Sequence, residues 1–384
     1  MYAGNAGLLM MMCVCGIACS GSDSDEAASN QESMQQTAIS FGGNLQAESA
    51  VTRAATGLEE VLTNKSFVVY GYKNDAYDSG TDSYTSYQMV MPGFTVNWTA
   101  NTAYTTTSNT NDWEYVGQGP DQTIKYWDGA ANAYRFFAYA KGNATAAPAT
   151  SPDEVTVTTA ADKVTFSANI NASTDAHVAA APYFSRLWFS TGNAVAYPGK
   201  AFGQPVQLQF MKPLARVRFI FTFADGLDFG RPALTSPRFR PTADEEGIPD
   251  GGTVTFHYPL KGTEVQESWE SDVTDYYTEN FDIDYYEPDG VPNLEHPRLY
   301  PNSPQHWYYV FPIKSQGTYT LSVDVNGGPK TTVVPAEYMS WKPGYQYTYR
   351  FKITESGGVM LDNIQVGIND WSIKGVSEHP IYNW

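Results

Sequence analysis

The chain has 384 residues, enough for two domains with cores of their own, and its 23 Lys and Arg against 41 Asp and Glu give a formal charge of −18. A field of that sign repels phosphate backbones, so nucleic acid is excluded as a partner, while an acidic surface suits a soluble, extracellular life. Aromatic residues make up 14% of the chain, 27 of them tyrosine, and Gly and Pro are abundant at 32 and 23, a mixture that predicts an all-β protein.

The three cysteines, Cys13, Cys15 and Cys19, all stand in "GLLMMMCVCGIACS", so the rest of the chain can form no disulfide. The apolar run from Leu8 to Ala18 is too short to span a bilayer as a helix but has the length of a secretory h-region. Its end, "GIAC", resembles the lipobox of bacterial lipoproteins, in which signal peptidase II cuts before an acylated cysteine. That resemblance implies a signal peptide over residues 1–18 and lipidation of Cys19. The absence of Lys and Arg from the leader departs from the pattern and suggests a start codon further upstream. The following "SGSDSDE" is similar to the acidic surface-export signal of Bacteroides-type lipoproteins. Residues 19–37 hold almost nothing to bury, and they are expected to form a solvated tether.

In "TAISFGGNLQ", Ile39, Phe41 and Leu45 alternate onto one face. This predicts a half-buried strand within residues 38–48, weakened in its middle by two glycines. Behind it comes "ESAVTRAATG", where Arg53 is the first basic residue of the chain. Small residues and a glycine around it make the kind of exposed loop that proteases accept, with Ala54 as the new amino terminus. Arg135, the next arginine, falls within "YRFFAYA" and should be protected by a strand ladder.

Strand signals with turn punctuation continue through "SFVVYGY", "GFTVNWT", "QTIKYW", "YRFFAYA", "EVTVTTA" and "KVTFSANI", and no segment shows a sustained helical period. Trp127, Tyr134, Phe136 and Phe137 are expected as aromatic mass between sheets. Next, "AFGQPVQLQFMKPLARVRFIFTF" aligns Val206, Leu208 and Phe210 on one face and, past "MKP", Val217, Phe219, Phe221 and Phe223 on another. A loop region from about residue 225 to 252, "TVTFHYP" and an acidic stretch to about residue 304 follow. The last strands are "HWYYVFPI", "GTYTLSVDV", "YQYTYRFKI" and "NIQVGI". Tyr345, Tyr347, Tyr349, Phe351 and Ile353 share one face and read as core. Many short strands divided near residue 200 predict two sandwiches, 38–200 and 201–384.

Patterns that carry catalysis are missing. His177, His257, His296, His306 and His379 are scattered, and the chain has neither HExxH nor G-x-S-x-G. Abundant Asp and Glu leave a glycosidase pair open by counting, but no feature singles one out. The loop "DIDYYEPDG", with Asp282, Asp284, Glu287 and Asp289, offers oxygens to calcium but lacks the register of an EF-hand loop, so a solvated acidic turn is expected. Neither a cofactor nor a resident metal is implied, and a non-enzymatic protein is expected.

The set "ISF…AVTRA", "KYWDGAANAYRFFAYA", "PVQLQFMKPLARVRF", "YYVFPI…GTYTLSV" and "WKPGYQYTYRFKIT…DNIQVGINDW" resembles, in order, the fimbrillins, type V pilins of Bacteroides-like bacteria. The resemblance implies two tandem transthyretin-like Greek-key β-sandwich domains and export as an outer-membrane lipoprotein. It also implies removal of the first strand by an arginine-specific protease and polymerisation with other pilin subunits by strand exchange, serving adhesion to a host or bacterial surface receptor. The tail, residues 372–384, is similar to the ends of fimbrillin stalk subunits, with Ile373, Val376, Ile381 and Trp384 as donor side chains, and a stalk is favoured over a tip. Its alternation is imperfect, because Val376 and Trp384 hold the parity opposite to Ile373 and Ile381. A surface glycan-binding lipoprotein, with aromatics stacking on sugar, and a secreted β-sandwich glycosidase are the alternatives.

Overall fold

The computed structural model describes residues 37–45, 57–99, 106–109, 111–142, 155–224, 232–243, 246–281, 284–285, 307–314 and 317–368. Their strands are, in chain order, β1 (Phe41–Leu45), β2 (Ser66–Asn74), β3 (Tyr77–Asp78), β4 (Ser83–Tyr84), β5 (Gln88–Trp98), β6 (Trp113–Glu114), β7 (Ala133–Ala140), β8 (Thr156–Thr159), β9 (Lys163–Asn171), β10 (Tyr183–Ser185), β11 (Trp188–Ser190) and β12 (Val206–Met211). They continue with β13 (Ala215–Phe223), β14 (Leu234–Pro241), β15 (Ile248–Pro259), β16 (Ser268–Tyr277), β17 (Asp284–Tyr285), β18 (Tyr308–Val310), β19 (Tyr319–Val325), β20 (Gly328–Val334), β21 (Tyr345–Ile353) and β22 (Val359–Ile368). Two short helices, α1 (Leu58–Val61) and α2 (Asp175–Ala180), interrupt them.

Apolar residues at alternate positions give each strand one face to bury, and stacked sheets are the way to bury it. An eight-stranded sheet runs β1-β12-β10-β7-β2-β5-β6, with β11 on β7, and a four-stranded sheet runs β16-β15-β9-β8. The rest is a five-stranded sheet, β17-β13-β21-β22 with β18 on β13, a three-stranded sheet, β14-β19-β20, and the small β3-β4 ribbon. The fold is all-β, arranged as sandwiches.

The eight-stranded sheet is covered on both faces, and β7 shows why its burial is unbroken by alternation. Phe136 points into one apolar cluster, with Ile39, Phe41, Trp127, Leu208 and Phe210. Its neighbour Phe137 points into the opposite cluster, with Phe166, Phe184, Phe256 and Tyr258 of the layer against the four-stranded sheet. A third cluster joins the five- and three-stranded sheets through Phe219, Phe239, Leu321, Trp341 and Tyr349. Arg135, on the Phe137 face of β7, is fully buried at 0% exposure; it donates to Asn74 and to the carbonyls of Pro259 and Glu264 and packs over Tyr84 and Phe189.

Pairing crosses residue 200 at several points, among them the bridge of Tyr84 with Gly262. Strand β12 joins the first sheet through β10 and β1, and β15 pairs with β9 from Gly251 to Pro259 while its Ile248 belongs to the third cluster. Between β12 and β13 stands Lys212, 5% exposed. Its ammonium donates to the carbonyls of Val178, Ala179 and Ala181 at the end of α2, at 2.7, 3.1 and 2.8 Å, and burial pulls its pKa down to about 7.

The strand expectations differ from the structure in several regions. The loop predicted over residues 225–252 contains β14 and the start of β15; the acidic stretch contains β16, whose exposed face carries Glu270, Asp272 and Asp275 while Trp269 and Val273 pack inward. "QTIKYW" forms a single bridge, Ala38 with Tyr126, because the Gln122 side chain takes the backbone of β5 in place of a ladder, accepting from Thr95 N and donating to Thr95 O.

Candidate functional site

The first strand lies where the most unusual pairing of the large sheet is found. Strand β1 pairs with β12 in parallel, Phe41 opposite Val206 through Leu45 opposite Phe210, across a sequence separation that no hairpin can supply. Its upstream half is held from the other side too: Ile39 N donates to Lys125 O at 2.8 Å and Trp127 N to Thr37 O at 3.0 Å. Val206 N donates to Ser40 O at 2.8 Å, so residues 37–41 run between two walls. The downstream half, to Leu45, is laddered among the described residues on β12 alone.

The floor beneath is aromatic. The Phe41 ring meets Phe67, Tyr115 and Phe136 edge-on, with centroids 6.3, 5.9 and 5.7 Å away, the favoured geometry for such rings. Tyr115 ties the strand to the Lys125–Trp127 wall, its hydroxyl donating to Ile39 O at 3.0 Å and accepting from Lys125 N at 3.0 Å. Burial pushes that phenol up to about 12, so it stays a neutral donor at any physiological pH. Beside it, burial acts to raise the Glu114 carboxyl, but hydrogen bonds from Ser108, Thr106 and Val116 outweigh it and hold its pKa below the usual range.

Ile39, Phe41 and Leu45, expected on one face, are together in this core and buried. The strand is buried more deeply than expected, since Ser40 and Gly42 on the opposite face are covered as well. The two glycines have a reason of their own. A Cβ on Gly43 would stand 2.9 Å from Leu208 O and 2.8 Å from Leu58 Cδ2, so the backbone of β12 approaches too closely for any side chain. On Gly42 the nearest atoms it would meet belong to the Gln207 side chain, at 2.6 Å.

Cys19, Arg53, Ala54, Ile373, Val376, Ile381 and Trp384 lie outside the described residues, as do Asp282, Glu287 and Asp289 of the acidic loop. Sequence reasoning missed Tyr115 and the Lys125–Trp127 wall, which it took for a strand in a core; the adjacent glycines inside an apolar alternation were the visible sign of a close backbone approach. Trp127, Tyr134, Phe136 and Phe137, expected as aromatic mass between sheets, are buried and present no face to a glycan.

A second concavity, a cleft of about 330 Å³, is lined by Asp175, Asp250, Tyr277, Trp307 and Tyr309 among others. Asp250 there is 8% exposed, and burial, with the nearby Asp275 charge, raises its pKa to about 6. Among the described residues no group of three or more His, Cys, Asp or Glu is placed to hold a metal ion, and no helix is long and apolar enough to cross a membrane.

A family model described as fimbrillin-like matches residues 52–371, a span that starts behind β1 and stops before residue 372. Among solved structures, the chain is similar to a fimbrial protein from Bacteroides vulgatus at 13% identity, over 86% of this chain and 99% of that one, with a TM-score of 0.43. It is also similar to a fimbrial assembly protein from Parabacteroides distasonis at 12% identity, over 85% and 100%, with a TM-score of 0.32. No curated protein matches.

Proposed function

The chain belongs to the fimbrillin-like family, and from that premise we propose that it is a structural subunit of a cell-surface pilus, polymerised by strand exchange and acting in adhesion. The precursor is exported through the periplasm as a lipoprotein acylated at Cys19 and held at the outer membrane by its lipid. An arginine-specific protease then cuts between Arg53 and Ala54, β1 leaves, and the tail of another subunit, residues 372–384, takes the vacated place. A chain that both receives and donates a strand is a stalk subunit, the position favoured here over a tip. Its partners are other pilin subunits and a host or bacterial surface receptor.

The observation that carries this reading is the pairing of β1. An edge strand added in parallel from a remote part of the chain is a plug, since every other strand of that sheet keeps its antiparallel partners when β1 is withdrawn. Ile39, Phe41 and Leu45 together hold it by about 5 to 9 kcal/mol of burial at roughly 1.5 to 3 each. That suffices to keep the precursor closed, and it leaves an apolar groove and an open edge of β12 once the covalent link is cut. As a proposal, the chain divides into an amino-terminal unit, 38–200, and a carboxy-terminal unit, 201–384, with β12 and β15 contributed across that line.

Digestion of the intact chain with an arginine-specific protease tests it. The expected product begins at Ala54, while the fully buried Arg135 survives, and fibres appear by negative-stain microscopy. If Arg53 resists cleavage while the chain is folded, or Arg53→Ala protein assembles as well as the parent, the proposal fails.

A further inference from the structure

The groove tests its occupant at one position. Beneath Gly43 the obstacle to a side chain is Leu208 O, 2.9 Å from an added Cβ, and a carbonyl inside a laddered strand cannot swing aside. At Gly42 the obstacle is the Gln207 side chain, which can. The pattern the groove accepts is therefore apolar at the places of Ile39 and Phe41, glycine at the place of Gly43, and a buried residue at the place of Leu45.

Residues 369–384 contain one glycine, Gly375, in "DWSIKGVSEHPIYNW". With Gly375 at the place of Gly43, Ile373 falls at that of Phe41, Trp371 at that of Ile39 and Ser377 at that of Leu45. Trp371 is larger than Ile39 and Ile373 smaller than Phe41; these are neighbours on one face, so volume lost at one position is regained beside it. Moving Gly375 to the place of Gly42 would drive Lys374 onto the aromatic floor beneath Phe41. Every other register puts a side chain against Leu208 O or leaves the glycine in an apolar pocket.

Resting on the strand-exchange reading above, we propose that the groove of one copy receives residues 371–377 of a second copy, parallel to β12, in the register that sets Gly375 against Leu208. Val376, counted among the donor side chains, then faces outward at the place of Asn44, and Lys374 lies along Gln207.

Disulfide trapping reads the register directly. In a chain with Cys13, Cys15 and Cys19 replaced by Ser, Asn44 and Gln209 are opposite in the uncleaved protein, so Asn44→Cys with Gln209→Cys is the control that must cross-link within one chain. After cleavage at Arg53 and assembly, Val376→Cys with Gln209→Cys should link subunit to subunit, whereas Val376→Cys with Gln207→Cys, two residues out of register, should not. Linkage of the second pair alone overturns the register and leaves strand exchange standing. Fibres with neither linkage remove the tail from the groove, and the exchange reading falls with the register. In the otherwise native chain, Gly375→Val should slow assembly at least about ten-fold, with Gly375→Ala between it and the parent. Equal assembly of all three overturns the register even where the cysteine variants do not assemble, and a parent that never assembles after cleavage overturns both.

Discussion

Lys212 and Asp250 are two buried charges with opposite consequences. The Lys212 ammonium satisfies three carbonyls at the end of α2, so Lys212→Met leaves all three without that donor. At about 1 kcal/mol or more for each acceptor, less what is regained by no longer burying a charge, a net loss of about 2 kcal/mol is expected in urea denaturation. Asp250 lies in the cleft beside Asp275, and its raised pKa means that the folded chain binds its proton more tightly than the unfolded chain does. Between the ordinary carboxylate pKa near 4 and the folded value of about 6, the native state carries the extra proton, so stability contributed by this group falls as pH rises through that window. Asp250→Asn should remove the slope: the variant is more stable than the parent at pH 7 and nearly equal to it at pH 4. A thermal-melt series across that range checks the sign.

At the scale of the element, β1 combines a large apolar anchor with a backbone that must come close. In the uncleaved chain Phe41→Ala should cost about 3 to 5 kcal/mol, the range for deleting a buried ring. Gly43→Val should cost about 1 to 3 kcal/mol by overpacking against Leu208, and Gly42→Ala less than either because Gln207 can rotate. Once β1 has been cleaved and released, the three variants should melt with the parent, which separates an effect on the plug from one on the scaffold. This strand was legible in the sequence because its period-two alternation survives two glycines, and β9, β12, β13, β19 and β21 were legible for the same reason, while β2 and β7 stood out by their unbroken apolar and aromatic runs. The partner of β1 was not. Nothing local says that Phe41 stands opposite Val206, because parallel pairing over that distance is decided by the whole sheet. Strands β14, β16 and β20 were missed where polar and charged residues fill the exposed positions, as in "SWESDVTDYY", so that composition hid the alternation. The tail pattern ending in Gly375 gains its meaning only from the steric limit at Gly43.

For the whole molecule, the proposal separates closing from linking: β1 serves the first and residues 372–384 the second. Deleting residues 372–384 should leave a folded subunit that is still cleaved after Arg53 but cannot extend a fibre, checked by microscopy of the deletion alone and mixed with the parent, where it should end fibres. Normal fibres from the deletion would assign the protein to the tip. One feature of the sheets has a mechanical consequence for a fibre built this way. The groove strand lies along β12, β12 continues through Lys212, Pro213 and Leu214 into β13, and β13 runs parallel to β21 from Arg216 opposite Gln346 to Phe223 opposite Ile353. Tension on the fibre enters the groove strand at its amino-terminal end and leaves β12 at its carboxy-terminal end, so the hydrogen bonds between these two parallel strands are loaded in shear, sharing the force, where a hairpin pulled at its open end would give way one bond at a time. Resistance to a steady pull is then set by how slowly the loaded sheet unfolds, which places the strength of each joint in the ladder between the groove strand and β12.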